Sequence, residues 1–225
     1  MKKIAIVTGA SFGIGKATCK ALSSDGFHVI AVARSTDEIE DLASGDPNIE
    51  SYTLDITDED AVNQFVSYLG DKDVSVLVNN AGGGATNLPI INDSLDRWRY
   101  AYNLNVLAPV NLTRLLVPNM IKNEDGHVIF ITSTCGHYVY RGGSGYTVAK
   151  HAEVALSELL RMEMLYQNVR VTEIAPGNVN SRNQGDAENR LTPEDVAEAV
   201  RWSVSMPKHV NVESIKLLHI NNSIR

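Results

Sequence analysis

Cysteine is scarce in this sequence, and long apolar runs are absent. Its two cysteines, Cys19 and Cys135, lie far apart in 225 residues and form no CxxC pair. This excludes a disulfide framework and a zinc knuckle, so we expect both to be small buried apolar groups. No stretch is long enough to span a membrane, and the apolar run that follows Lys2 and Lys3 ends at Thr8, too soon for a signal peptide. We therefore expect a soluble, cytoplasmic protein with no membrane partner.

An excess of basic charge is also missing. The chain carries 20 lysines and arginines against 27 acidic residues, a formal net charge of −7. This balance argues against nucleic acid and anionic membranes as partners, although it leaves room for a local anion site. The six histidines form neither an HExxH motif nor a cluster with cysteine, so we expect no metal site.

What the sequence does contain is an alternation of short apolar segments with segments of helical period. Seven segments are candidates for buried strands, most of them rich in Val and Ile: 4–7, 28–33, 50–55, 74–78, 127–132, 169–175 and 213–220. Strands that are apolar on both faces, with a helix between successive strands, indicate a parallel sheet covered on both sides. We predict an α/β fold, a doubly wound seven-stranded parallel sheet in a single domain spanning residues 1–225, with helix caps at Thr57 and Thr192.

The turn after the first strand is rich in glycine. It reads "TGASFGIG", which places Gly9, Gly13 and Gly15 between a strand and a helix, where a dinucleotide fingerprint belongs. Such glycines allow a tight turn, a close approach of the pyrophosphate and close packing of helix on strand. The alternative is an ordinary loop between a strand and a helix.

The ends of the second and third strands suggest which nucleotide would bind. Arg34 and Ser35 stand where an acidic residue would hold the ribose hydroxyl of NAD, and an arginine there can fork onto a 2′-phosphate. This favours NADP(H) over NAD(H); the alternative is a solvated arginine. Asp55 and Ile56 could contact the adenine, or Asp55 could cap a helix, for which Thr57 is the better candidate. The fourth strand ends in "NNAGGGA", which either lets the chain pass close to a ligand or forms a plain loop.

Tyr146 and Lys150 are four residues apart, and residues at that spacing share a helix face. A free tyrosine has a pKa near 10, so an ammonium beside it would lower that pKa toward the range useful for catalysis. Ser133 follows the fifth strand directly, at the edge where ligands bind in such sheets. Asn105 interrupts an apolar helical stretch and, if buried, needs hydrogen-bond partners.

Together these motifs resemble the compact form of the short-chain dehydrogenase/reductase family, with its Rossmann-like fold. "TGASFGIG", "NNAG", Asn105, Ser133, "YTVAK" and "PGNV" occur in the family's order and spacing. The resemblance implies reversible hydride transfer between NADP(H) and a small alcohol or carbonyl substrate. It implies that Tyr146 is the acid/base, that Lys150 holds the nicotinamide ribose, that Ser133 orients the substrate and that Asn105 supports a proton relay. It also implies a cofactor site made of Gly9, Ser11, Phe12 and Ile14 at the phosphates, Asn80 near the adenosine ribose, and Pro176, Gly177 and Val179 along the nicotinamide.

Within the family, the C-terminal segment from Arg190 to Ile220 is similar to the 3-hydroxy-acid and serine dehydrogenase branch. The segment between "PGNV" and "TPEDV", residues 180–191, is shorter than the family's usual lid, which implies an open pocket. The residues His137, Tyr138, Tyr140 and Arg141 either line that pocket or form a plain loop. Arg141, if it faces the pocket, could bind a carboxylate.

Two further expectations concern assembly and activity. The apolar helical faces at 112–117 and 156–165 predict a homodimer or homotetramer. The alternative to an enzyme is a non-catalytic sensor of NADP(H) on the same fold, which the presence of both Tyr146 and Lys150 disfavours. A sugar-nucleotide epimerase or dehydratase would normally need a larger C-terminal region.

Overall fold

The seven strands found in the described part of the chain are parallel and form one sheet in the order β3-β2-β1-β4-β5-β6-β7. The computed structural model describes residues 2–181 and 188–222. The strands are β1 (Ile4–Thr8), β2 (His28–Ala33), β3 (Ile49–Thr53), β4 (Val74–Asn79), β5 (Gly126–Ile131), β6 (Val169–Pro176) and β7 (Ser214–Leu217). The helices are α1 (Gly13–Ser24), α2 (Thr36–Ser44), α3 (Glu59–Leu69), α4 (Leu95–Tyr102), α5 (Ala108–Lys122), α6 (Ser144–Glu163) and α7 (Pro193–Ser205). The doubly wound fold predicted from the strand pattern is confirmed. Most of the predicted short lid, residues 182–187, lies outside the described residues.

The core lies on both faces of the sheet, because alternate residues of each buried strand point to opposite sides. On one face Ile6 and Phe130 pack with apolar side chains of α3 and α5. On the other face Val7 and Val29 pack with side chains of α1, α2 and α7, including the predicted buried Cys19. The sequence therefore needs apolar residues at consecutive strand positions, and every residue of β1, β4 and β5 is buried.

One of the two predicted helix caps is confirmed. The Thr192 hydroxyl accepts from the backbone N–H of Asp195 at 3.2 Å, and the Asp195 carboxylate accepts from the N–H of Thr192 at 2.7 Å, forming a capping box. The prediction for Thr57 is wrong, because α3 starts one residue later and Asp58 caps it by accepting from Ala61 N–H at 3.0 Å.

A single turn of π-helix, Asn103–Leu107, joins α4 to α5 without a break. Pro109 follows this turn and has no N–H to donate to the carbonyl of residue 105, so the regular hydrogen-bond ladder cannot run through it. Single π turns of this kind are frequent at functional sites.

The apolar residues of 112–117 do not form an exposed face. Leu112, Leu116 and Val117 are 5% exposed or less and belong to the protein's own core. That part of the predicted subunit contact is wrong, because a helix that covers a parallel sheet turns its apolar stripe inward. Within residues 2–181 and 188–222, no helix is both long enough and apolar enough to cross a membrane.

Candidate active site

A cavity of about 610 Å³ opens at the carboxyl edge of the sheet, where the strand order reverses between β1 and β4. Ligands bind at this point in open α/β sheets. Most of the residues predicted for the site line this cavity: Gly9, Ser11, Phe12, Ile14, Arg34, Ser35, Asp55, Ile56, Asn80, Ser133, Tyr146, Lys150, Pro176, Gly177 and Val179. The remaining three, Gly13, Gly15 and Asn105, are not among the lining residues.

The glycine turn after β1 leaves no room for side chains. Gly9 has a φ of +67°, and a Cβ there would lie 2.9 Å from the Ala81 Cα. A Cβ at Gly15 would lie only 2.2 Å from the Gly9 carbonyl oxygen. The turn thus lies directly against the loop after β4 and directs the N-terminus of α1, which begins at Gly13, toward the cavity.

Thr8 and Asn80 hold the two loops together. The Asn80 side-chain amide donates to the carbonyls of Thr8 at 2.7 Å and Gly9 at 3.2 Å. The Thr8 hydroxyl accepts from the backbone N–H groups of Asn80 and Ala81, both at 3.0 Å, and donates to Val78 at 3.2 Å. Asn80 lines the cavity, and its amide group is used to brace the glycine turn.

Arg34 stands at the end of β2 with most of its side chain, 63%, exposed. Its guanidinium lies 4.0 Å from the carboxylate of Asp55, a loose contact that leaves its N–H groups available to a ligand. Asp55 itself accepts from the hydroxyl of Thr57 at 2.7 Å and from its N–H at 3.0 Å. Burial opposes the charge on Asp55, but the Thr57 hydrogen bonds and Arg34 outweigh it and keep the pKa of this carboxyl below its ordinary value.

Ser133, Tyr146 and Lys150 meet on the opposite wall. Tyr146 and Lys150 lie one helical turn apart on α6, and the Lys150 ammonium is 5.8 Å from the centre of the phenol ring. The Ser133 hydroxyl accepts from the N–H of Cys135 at 3.1 Å and is also hydrogen-bonded to the Tyr146 phenol. Tyr146 and Lys150 thus lie side by side on α6, as their spacing predicted, and Ser133 lines the same cavity.

The acidity of Tyr146 differs from the expectation. Burial of the phenol raises its pKa above the ordinary value, while Lys150 and Ser133 act in the opposite direction without prevailing. The ammonium lowers the pKa less than expected because its charge is compensated. Lys150 donates to the carboxylate of Glu153 at 2.6 Å and to the carbonyl of Ile131 at 3.1 Å.

Asn105 is fully buried within the π turn. Its amide group donates to the carbonyls of Ala101 at 2.7 Å and Gly83 at 2.8 Å, and its oxygen accepts from Gly83 N–H at 3.1 Å. The predicted need for partners is therefore met by the protein itself. Asn105 fixes the glycine loop after β4, which forms part of the cavity wall.

Some residues of the cavity wall were not predicted from the sequence. Tyr100 and Leu104, four residues apart at the end of α4 and in the π turn, both line the cavity. Their helical spacing next to Asn105 was the available signal. The residues His137, Tyr138, Tyr140 and Arg141 do not line the described cavity, although Tyr140 lies close enough to Tyr146 for the two to interact electrostatically. Among them, His137 contacts the Glu173 carboxylate at 2.7 Å, and Arg141 is exposed.

Among the described residues, no group of three histidine, cysteine or acidic side chains is placed to hold a metal ion. Comparison with known proteins gives a clear assignment. The profile of the short chain dehydrogenase family matches residues 3–191. The chain therefore belongs to the short chain dehydrogenase family, and it is an NAD(P)-dependent oxidoreductase that acts on CH–OH groups.

Individual relatives cover nearly the whole chain. An uncharacterized oxidoreductase of Mycobacterium tuberculosis is 43% identical over 95% of this chain and 90% of its own length. An NADP-dependent 3-hydroxy acid dehydrogenase of Salmonella typhi is 32% identical over 98% and 96%, respectively. Among solved structures, the closed form of a serine dehydrogenase complexed with NADP+ superposes with a TM-score of 0.90, at 33% identity over 98% of this chain and 96% of its own.

Proposed function

We propose that this protein is an NADP(H)-dependent oxidoreductase that interconverts an alcohol and a carbonyl compound, with small 3-hydroxy acids as its substrate class. The observation that supports this best is the shared wall. Ser133, Tyr146 and Lys150 line one end of the cavity whose other end is the glycine turn at Gly9 and the exposed Arg34. One cavity thus joins a set of proton-exchanging groups to a cradle for a dinucleotide.

The residues present fit such a cofactor. The absence of a side chain at Gly9 lets the turn pack closely on Ala81, and the α1 N-terminus beside it offers backbone N–H groups to phosphates. Arg34 would hold a 2′-phosphate, Pro176 and Val179 would flank the nicotinamide, and Lys150 would reach the adjoining ribose. When bound, the cofactor supplies or accepts the hydride.

The protein's own side chains then provide position and protons. The Ser133 hydroxyl donates to the oxygen of a carbonyl substrate and holds it beside the Tyr146 phenol. In reduction Tyr146 donates its proton to that oxygen, and in oxidation it takes the proton back. General acid/base catalysis of this kind contributes roughly 10²- to 10⁴-fold in rate.

The choice of NADP(H) and of hydroxy acids rests on two separate supports. Arg34 in place of an acidic residue supports NADP(H), as does similarity to relatives that use NADP. The substrate class rests on similarity to a 3-hydroxy acid dehydrogenase and a serine dehydrogenase. Arg141 does not reach the described wall, so we no longer assign it a role in carboxylate binding.

A substrate panel tests the proposal. Purified protein is offered NADP+ with 3-hydroxy acids, serine and simple secondary alcohols, and nicotinamide absorbance is followed. Turnover that is fastest with a 3-hydroxy acid supports the substrate class, while turnover of simple alcohols alone would contradict it. No turnover with any substrate, together with tight NADPH binding, would favour the sensor alternative.

We also propose that the protein is a homodimer or homotetramer. In place of residues 112–117, the exposed apolar side chains lie on α4, the π turn and α6. Leu95 is 70% exposed, Leu107 51%, Leu159 57% and Met162 63%. Burying these groups between copies would remove them from water. Light scattering at micromolar concentration should give a mass of two or four chains, and the mass of one chain would contradict this.

A further inference from the structure

The Lys150 side chain is almost completely enclosed, and so is the acid that pairs with it. Their side chains are 3% and 1% exposed, respectively, and the ammonium nitrogen lies 2.6 Å from a carboxylate oxygen of Glu153. An ammonium has three N–H donors. One goes to Glu153 and one to the carbonyl of Ile131 at 3.1 Å, which leaves one for the cavity.

A second buried carboxylate, Glu173 on β6, faces the same region, and its negative charge acts on Glu153. Glu173 is well supplied with donors. It accepts from Thr132 and Ser214, both at 2.6 Å, and lies 2.7 Å from a ring nitrogen of His137. Burial works against its charge, yet these donors bring the pKa of Glu173 below its ordinary value.

Glu153 has no comparable shell, and among the described residues Lys150 is the donor it accepts from. Burial raises the pKa of the Glu153 carboxyl to about 7, against the attraction of Lys150. Lys150 shows the complementary effect. Burial would lower its pKa, but Glu153 and Tyr146 raise it above the ordinary value. Above neutral pH the two therefore form a buried ion pair.

Such a pair has a consequence at the phenol. A lone buried ammonium would strongly favour the phenolate form of Tyr146. With a carboxylate at hydrogen-bond distance, much of the ammonium's field is cancelled, because interactions are strong in a buried environment and both charges act on the phenol. The negative charge of Glu153 opposes ionisation of Tyr146.

From this arrangement we infer that Glu153 is a positioning residue of the active site: it fixes the Lys150 ammonium and sets the pH range over which Tyr146 exchanges its proton. The inference rests on the proposed roles of Tyr146 and Lys150. It distinguishes Glu153 from a merely structural ion pair, which would affect stability but not the position of a pH profile.

The test is the Glu153→Gln variant, which keeps an oxygen that can accept from Lys150 and removes the negative charge. Glu158→Gln is the matched control, because it makes the same charge change on an exposed position of α6. The pH profile of kcat/KM is measured in both directions. In Glu153→Gln both profiles should move to lower pH by roughly one unit, because the phenol ionises more easily, while the control should coincide with wild type. Profiles of Glu153→Gln that coincide with wild type would overturn the inference.

A second measurement does not depend on turnover. Tyrosinate absorbance is titrated in the cofactor-free protein, and the signal of Tyr146 is obtained by subtracting the same protein with Tyr146→Phe. Its midpoint should be lower with Glu153→Gln than without it, and an unchanged midpoint would contradict the inference.

If Glu153→Gln does not fold, Glu153→Asp keeps the charge but withdraws it from Lys150. Its turnover should fall several-fold while the profile keeps the wild-type pH position, and a profile displaced by a full unit would overturn the inference.

The failure of the inference can be told apart from failure of the proposed function. A Tyr146→Phe protein with wild-type turnover would remove the acid/base role itself. An inactive Tyr146→Phe protein with unshifted Glu153→Gln profiles would remove only the role of Glu153.

Discussion

Asn105 and Gly83 exchange two hydrogen bonds, one from the Gly83 N–H to the side-chain oxygen at 3.1 Å and one from the side-chain amide to the Gly83 carbonyl at 2.8 Å. The Asn105 side chain thus pairs with the backbone of the loop after β4, as a neighbouring strand pairs with the backbone of a β-strand. The π turn places Asn105 at this position, and Gly82 beside it leaves no room for a Cβ, which would lie 2.8 Å from the Asn105 oxygen. The active-site wall is therefore held from behind by a helix that itself departs from regular geometry.

Asn105→Ala should loosen this wall. The partly buried Gly83 N–H and carbonyl lose their partners, and the loss of a typical hydrogen bond costs about 0.5–1.5 kcal/mol. We expect the free energy of unfolding to fall by about that amount and NADPH to bind more weakly, as measured by denaturant titration and by fluorescence. Asn63→Ala on the exposed face of α3 is the control. Equal stability and equal NADPH affinity in Asn105→Ala and wild type would show that the exchange with Gly83 does not support the site.

Arg34→Ala should reduce the preference for NADPH. Loss of a hydrogen bond to a charged group costs about 1.5–3 kcal/mol, so NADPH should bind roughly 10- to 100-fold more weakly while NADH binding stays nearly constant. Calorimetric titration of both cofactors measures this ratio. Lys20→Ala removes a charge of the same sign from an exposed position on α1 and should change neither affinity. A wild-type ratio in Arg34→Ala would remove the assigned phosphate contact.

His127 should make the protein less stable in acid. Its ring is 1% exposed and lies 2.8 Å from the Thr172 hydroxyl, which in turn donates to Val212 at 2.7 Å. The ring therefore donates to Thr172, and its other nitrogen is buried with no hydrogen-bond partner among the described residues. Burial holds the pKa of His127 well below its ordinary value. The pKa of this histidine in the unfolded chain is about 6.5. Below that pH the unfolded state binds a proton that the folded state does not bind, so stability falls as pH falls.

The measurement for His127 is the free energy of unfolding between neutral and mildly acidic pH. His127 alone should contribute a loss of up to about 1.4 kcal/mol per pH unit, and His127→Gln should lack that contribution. His209→Gln, at an exposed position, controls for removal of a histidine. Parallel pH dependence in wild type and His127→Gln would contradict the account.

The sequence predicts the fold and most of the site because both depend on local patterns. A strand that is apolar on both faces fits few arrangements other than a parallel sheet covered on both sides. The glycines of the first turn are required because a Cβ at Gly9 or Gly15 would collide with neighbouring backbone. Long-range relations were not accessible in this way. Burial of Leu112 in the protein's own core and the start of α3 at Glu59 depend on packing against distant segments. The i, i+3 spacing of Lys150 and Glu153 is visible in the sequence. The burial of this pair, on which its effect on Tyr146 depends, is not.

The most direct test of the account is the turnover of Tyr146→Phe, measured with an accepted substrate beside an NADPH titration. The variant loses only the hydroxyl, so the aromatic ring is kept and the glycine turn is not changed. We expect NADPH to bind with wild-type affinity and turnover to fall by roughly 10²- to 10⁴-fold. Lys150→Ala, in contrast, should lower both turnover and NADPH affinity. Wild-type turnover in Tyr146→Phe would contradict the assignment of this phenol as the acid and base.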